Sequence, residues 1–147
     1  MRTDRIVPVV VALAGFAAIV VGVHQGLVHV APGYEGTVTT GWDGDPNHEE
    51  RLLAWTAAVA VCGTVAALRW RRLALVPVLM GGVVLFYVFR AVLNYAQDPG
   101  LYTVVDLGGE SLRFVLGAEP FLLVGGAILL VAAGVRVWTR ASRTRRG

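Results

Sequence analysis

Three histidines, His24, His29 and His48, accompany Asp43, Asp45, Glu49 and Glu50 between positions 24 and 50. These are the residue types that hold a divalent metal. Their spacing works against a shared ion. His24 and His29 are five residues apart, about 140° around a helix, and could reach one ion only if the helix ended between them, as Gly26 would permit. The i, i+4 histidine pair of metal-binding helices does not occur, so no metal is expected and the three histidines are only weak candidates. A bis-histidine haem would need histidines from two facing spans, and only His24 lies securely in an apolar run, so no cofactor is expected. Ser111 has no histidine near it in sequence, and Thr37, Thr39 and Thr40 sit in a turn-rich stretch. Neither a GxSxG elbow nor a phosphate-cradling loop is present. The single cysteine, Cys62, excludes an intrachain disulfide and a four-thiolate metal site. No catalytic constellation emerges, and the expectation is a protein that is not an enzyme.

A second group of polar residues gathers at one depth. If Arg5 marks one boundary of the first apolar run, about 20 residues of helix place His24 and Gln25 at the opposite edge. Glu50 opens the second run, Arg90 and Asn94 close the third, and Glu119 opens the fourth. An arginine within a span calls for an acceptor, and Glu119, Glu50 and Asp98 are the candidates. Two readings follow from this layer. In one it forms an outward-facing vestibule for a ligand or ion, centred on Arg90. In the other these are ordinary interfacial residues, with Arg90 snorkelling or clamping neighbouring helices.

The elements that must carry these residues are set by composition. Of 147 residues, 56% are hydrophobic and 16% charged, and the mean hydropathy is +0.65, which excludes a water-soluble globule. Four long apolar runs predict an all-α integral membrane four-helix bundle, with spans at about 6–30, 52–70, 73–94 and 120–138. The connections at 31–50 and 94–119 form two outer loops, and 139–147 is a tail. The first run is longer than the apolar segment of a cleavable signal, and Ala31 is followed by Pro32, so it reads as an uncleaved anchor. Pro8 falls in its first turn, where a missing amide donor is harmless.

Charge supplies the orientation. All thirteen basic residues are arginines, and ten of them (Arg2, Arg5, Arg69, Arg71, Arg72, Arg136, Arg140, Arg143, Arg145 and Arg146) fall on one side of a four-span arrangement. Asp4 is the sole acid there, against nine acids on the other side. The rule that arginines near span ends stay inside makes both termini cytoplasmic in a cell membrane. Because the basic residues cluster at helix ends, the lipid bilayer is the expected partner and nucleic acid is not.

Finer features are expected as well. Leu112, Val115 and Leu116 share one helical face, so 110–116 suits either a short interfacial helix or an irregular loop. A shift of 67 residues lays Arg5 on Arg72 and Pro32-Gly33 on Pro99-Gly100, as in a parallel repeat of two helical hairpins. Small residues recur at four-residue spacing as Ala14, Ala18, Gly22 and Gly26, and again as Ala54, Ala58, Cys62 and Ala66. Such stripes permit close helix packing, within the bundle or against other membrane subunits. Together these features point to a non-enzymatic accessory, assembly or structural component of a membrane complex or homo-oligomer. The alternative is a small transporter or ligand-binding protein using the layer around Arg90. Extracytoplasmic metal binding by the histidines is the weaker alternative.

Overall fold

A computed structural model describes residues 3–25, 28–30, 48–98 and 114–143. Four helices dominate: α1 (Thr3–Val23), α2 (His48–Ala67), α3 (Leu75–Gln97) and α4 (Glu119–Arg143). A 3-10 turn, Arg71–Ala74, leads into α3, and two short strands, β1 (Val28–Val30) and β2 (Phe114–Leu116), complete the order. All four helices are long and apolar enough to cross a membrane.

The helices form a four-cornered bundle. α4 packs most extensively, against α1 on one side and α3 on the other, while α2 closes the ring between α1 and α3. Neighbouring helices run antiparallel. Gly15 meets Gly126 and Leu130 while Gly22 meets Glu119 and Leu122, so α1 and α4 pass in opposite directions.

Side-chain size is distributed inside out relative to a soluble protein. The interior is built from Ala12, Ala57, Ala60, Ala127 and Ala133 with a few larger residues such as Ile19, Leu123 and Leu130. Outside stand Phe121, Trp55 and Phe86, 72%, 71% and 69% exposed. Small interior residues let backbones approach, and dispersion over that approach is a principal attraction between helices in lipid. A Cβ added at Gly126 would stand 2.7 Å from the Gly15 carbonyl oxygen, and one at Gly15 would stand 2.7 Å from the Gly126 oxygen. The two glycines therefore mark the closest crossing of α1 and α4. At the other end, the buried Pro77 and its neighbours Val76 and Val78 fill notches at Gly63 of α2 and Gly134 of α4.

The buried stripes lie beside those expected from spacing. On α1 the inward face is Pro8, Ala12, Gly15, Ile19 and Gly22. Ala14 is exposed and Ala18 only half-buried, so Gly22 alone of the expected stripe is inside, and Gly26 lies outside the described residues. On α2 the inward face is Leu53, Ala57, Ala60, Thr64 and Ala67, whereas Ala54, Ala58 and Ala66 are half-buried and Cys62 is exposed. The reason is that these spans are rich in small residues all round. Four-residue spacing of small side chains therefore recurs on several faces and does not single out the one that packs.

The first apolar run does not continue as helix to Val30. After Val23 the amides of His24 and Gln25 reach back only three residues, to the Val21 and Gly22 carbonyls at 3.2 and 2.9 Å. The Val20 carbonyl that the His24 amide would otherwise have met accepts instead from His24 Nδ1 at 2.7 Å. The imidazole thus caps the last turn and the helix stops. Val28–Val30 then pairs antiparallel with Phe114–Leu116, with His29 opposite Val115. The segment 114–116 is accordingly strand, neither short helix nor irregular loop. β-branched and aromatic residues suit a strand, and one or two isolated helical turns are marginal. Leu112 lies outside the described residues. Among the described residues the regular structure is therefore all-helical apart from this ribbon. A 67-residue shift would lay β1 on 95–97, which belong to α3, so the ribbon has no counterpart in a hairpin repeat.

Candidate functional site

The antiparallel bundle brings the C-terminal ends of α1 and α3, the first turns of α2 and α4, and the β1–β2 ribbon to one end. All six residues of the expected polar layer reach this end, but they do not form one cluster. His24, Gln25, Arg90 and Asn94 are exposed, whereas Glu50 is 6% and Glu119 2% exposed.

Helical geometry explains the split. The buried face of α3 is Pro77, Gly81, Val84 and Val88, and Arg90 lies two residues beyond Val88, about 200° around the helix. It stands on the outward stripe with Leu79, Val83, Phe86 and Leu93. Arg90 is thus not the centre of an enclosed site. Glu50 instead continues the inward face of α2, one turn before Leu53, and Glu119 continues that of α4, one turn before Leu123.

These two carboxylates are the chemically distinctive feature of the described residues. Glu119 Oε2 is shut off from solvent and has no hydrogen-bond partner. The Glu50 carboxylate lies near enough for its charge to act on that of Glu119. Both sit in the first turn of their helices, where the macrodipole favours negative charge and offsets part of the cost of burial. Leu53 and Leu123, one turn further along their helices, are buried, as are Gly117 just before α4 and Pro120 in its first turn. On the α1 side, Gly22 packs against the Glu119 backbone, its hypothetical Cβ 3.5 Å from the Glu119 oxygen.

Among the described residues, no group of three or more His, Cys, Asp or Glu side chains comes together to hold a metal ion. His48 is exposed at the start of α2, and His29 lies in β1. Asp43 and Asp45 lie outside the described residues. Sequence reasoning identified Glu50 and Glu119 but ranked Arg90 above them. The overlooked signal is register: Glu50 is in phase with Leu53, Ala57, Ala60 and Thr64, and Glu119 with Leu123, Ala127, Leu130 and Ala133. A carboxylate in phase with a helix's packing stripe points inward.

No family model matches the sequence, and no curated protein or solved structure matches it.

Proposed function

We propose that the chain is a non-enzymatic building block of a membrane assembly, either its own oligomer or a complex with other membrane subunits. It crosses the cell membrane four times with both termini cytoplasmic. Orientation rests on the charge of the two ends. Arg5, Arg69, Arg71, Arg72, Arg136 and Arg140 lie at one, and Glu49, Glu50, Asp98 and Glu119 lie at the other with Arg51 and Arg90. A reporter active only in the cytoplasm, fused after Gly147, should be active; activity confined to the outer compartment would reverse the topology.

The observation that supports assembly is the use of the helix glycines. Gly15, Gly22, Gly63, Gly81, Gly126 and Gly134 are each occupied by a neighbouring helix within the bundle. Gly82 and Gly125 are not: a Cβ at either would meet nothing within 4 Å, and both are exposed. Each weakens its helix by roughly 0.5–1 kcal/mol relative to alanine without serving a contact among the described residues. On α4, Gly125 lies in the outward row Phe121, Gly125, Ile128, Ala132 and Val135, a shallow groove suited to another helix.

Purification in a mild detergent followed by native mass measurement tests the reading. The expected particle is a multiple of the 15.7 kDa chain or contains a second membrane protein in fixed proportion. Gly82→Leu and Gly125→Leu should shift it toward monomer without unfolding, since neither position has a neighbour to displace. A strict monomer with no companion would refute the proposal.

A further inference from the structure

At the end of the bundle opposite the carboxylates, the connection from α2 to α3 is short and pinned. The amides of Leu68, Arg69 and Trp70 reach back to the Val65 and Ala66 carbonyls at 3.2, 3.0 and 2.9 Å and reverse the chain. Ala67, Ala74 and Val137, with Leu73 against them, form a small core of their own that holds the Arg71–Ala74 turn on α4. A Cβ at Gly134 would stand 2.7 Å from the Ala74 oxygen. Arg69, Trp70, Arg71 and Arg72 are therefore carried on a packed platform. The Arg71 guanidinium lies 4.3 Å from the centre of the Trp138 ring, and Arg69 and Arg72 are exposed. Arg136 and Arg140 of α4 and Arg5 of α1 share this end, to which the sequence assigns a single acid, Asp4. Large apolar side chains stand among the cations: Trp70 and Leu75 are 61% and 51% exposed, Leu68 and Trp138 each 40%. We propose that the corner formed by residues 69–72 and Trp138 binds the headgroup of a phospholipid that carries net negative charge.

The mixture of surfaces chooses the class of ligand. Cations gathered on one platform repel each other and call for an anion, and a guanidinium meets phosphate oxygens through two parallel N–H bonds. Salt would satisfy cations alone. Exposed indoles and leucines between them instead suit an amphiphile, because tryptophan takes the boundary between headgroups and acyl chains and so sets the guanidinium groups at the depth of the phosphates. Leu79 of α3 and Val135 of α4, both exposed, continue the apolar surface from this corner toward the middle of the bundle, where acyl chains would lie. A choline headgroup would bring its own ammonium group among the arginines, whereas a glycerol headgroup leaves the phosphate charge uncompensated. This inference rests on the reading that the chain spans a membrane, and on neither its assembly nor the compartment that this end faces.

The test is native mass measurement of the full chain in a mild uncharged detergent, titrated with phosphatidylglycerol or with phosphatidylcholine of the same acyl chains. Lipid-bound peaks give an apparent Kd for each. Phosphatidylglycerol should bind about tenfold more tightly, since each arginine near a membrane surface is worth about a fivefold factor toward acidic lipid. Arg72→Gln, which alters an exposed side chain, should weaken phosphatidylglycerol about fivefold and leave phosphatidylcholine and helical circular dichroism unchanged. Arg71→Gln should weaken it similarly; if that variant does not fold, Arg69→Gln takes its place. Arg5→Gln, on α1 at the same end, and Arg90→Gln, at the opposite end, should leave the affinity within about twofold. Equal affinity for the two lipids overturns the inference. So does a loss from Arg5→Gln as large as that from Arg72→Gln, because a diffuse field and not this corner would then attract the lipid. Displacement of phosphatidylglycerol by inorganic phosphate, against sodium chloride of equal ionic strength, also overturns it, because the ligand would then be a soluble anion. A chain that stays dissolved without detergent overturns the membrane reading itself, whereas one that needs detergent and binds both lipids alike overturns only the headgroup site.

Discussion

Adjacent glycines on α4 should respond to the same substitution with opposite signs. A methyl group at Gly126 would stand 2.6 Å from Ile19 Cγ1 and 2.7 Å from the Gly15 oxygen. Ordinary contact begins at about 3.5 Å, so α1 and α4 must part by roughly 0.8 Å at their crossing. A gap of that size forfeits a quarter to a half of the dispersion energy of each loosened contact. Overpacking of this kind costs about 1–3 kcal/mol, from which alanine's helix advantage of roughly 0.5–1 kcal/mol is subtracted. Gly126→Ala should therefore lose about 1–2 kcal/mol, near a tenfold change in the folded-to-unfolded ratio. Gly125→Ala meets nothing within 4 Å and keeps only the helix advantage, a gain of about 0.5–1 kcal/mol. Unfolding of dispersed monomers by graded denaturing detergent, followed by circular dichroism, measures both. Gly15→Ala combined with Gly126→Ala should cost less than the sum of the two, because the first substitution already separates the helices. Equal shifts in the same direction from Gly125→Ala and Gly126→Ala would refute the packing argument.

The other expectations are local. The Arg71 guanidinium lies 4.3 Å from the centre of the Trp138 ring, so Arg71→Gln should cost about 0.5–2 kcal/mol; a double-mutant cycle with Trp138→Leu should show most of that as coupling. Thr64 is buried, but its hydroxyl donates only to the Ala60 carbonyl of its own helix at 2.9 Å. Thr64→Val should therefore stay within about 1 kcal/mol of wild type by the same unfolding assay. Because His29 stands opposite Val115, the pair His29→Cys and Val115→Cys in a Cys62→Ala background should cross-link under mild oxidant. Failure to cross-link, read by gel mobility before and after reduction, would argue against the ribbon.

How much of this was legible depends on which physics decides each feature. The helices were, because a stretch as long and apolar as 120–138 has helix as the form that satisfies its own backbone. The inward faces were only partly so. Alanine and glycine occur on every side of α1 and α2, so spacing chose Ala14 and Cys62 where packing uses Gly15 and Gly63. The end of α1 turned on one side chain: His24 takes the Val20 carbonyl, a local bond invisible to hydropathy. The ribbon joins segments 84 residues apart at its nearest pair, Val30 and Phe114, and no short-range pattern reports such pairing. At the polar end, depth along the spans grouped the right residues. Rotation about each helix then separated outward Arg90 from inward Glu50 and Glu119, and only register against the packing stripe carries that information.

The crossing at Gly15 and Gly126 also bears on how the chain is made. The most extensive partner of α1 is α4, roughly 110 residues later, and chains emerge from the ribosome N-terminal part first. Before α4 is made α1 has α2, a lesser neighbour, and the hollow at Gly15 stays open until α4 arrives. Closure of this crossing is thus deferred until α4 has been made, and a nascent chain halted after α3 offers that hollow to whatever helix is nearby.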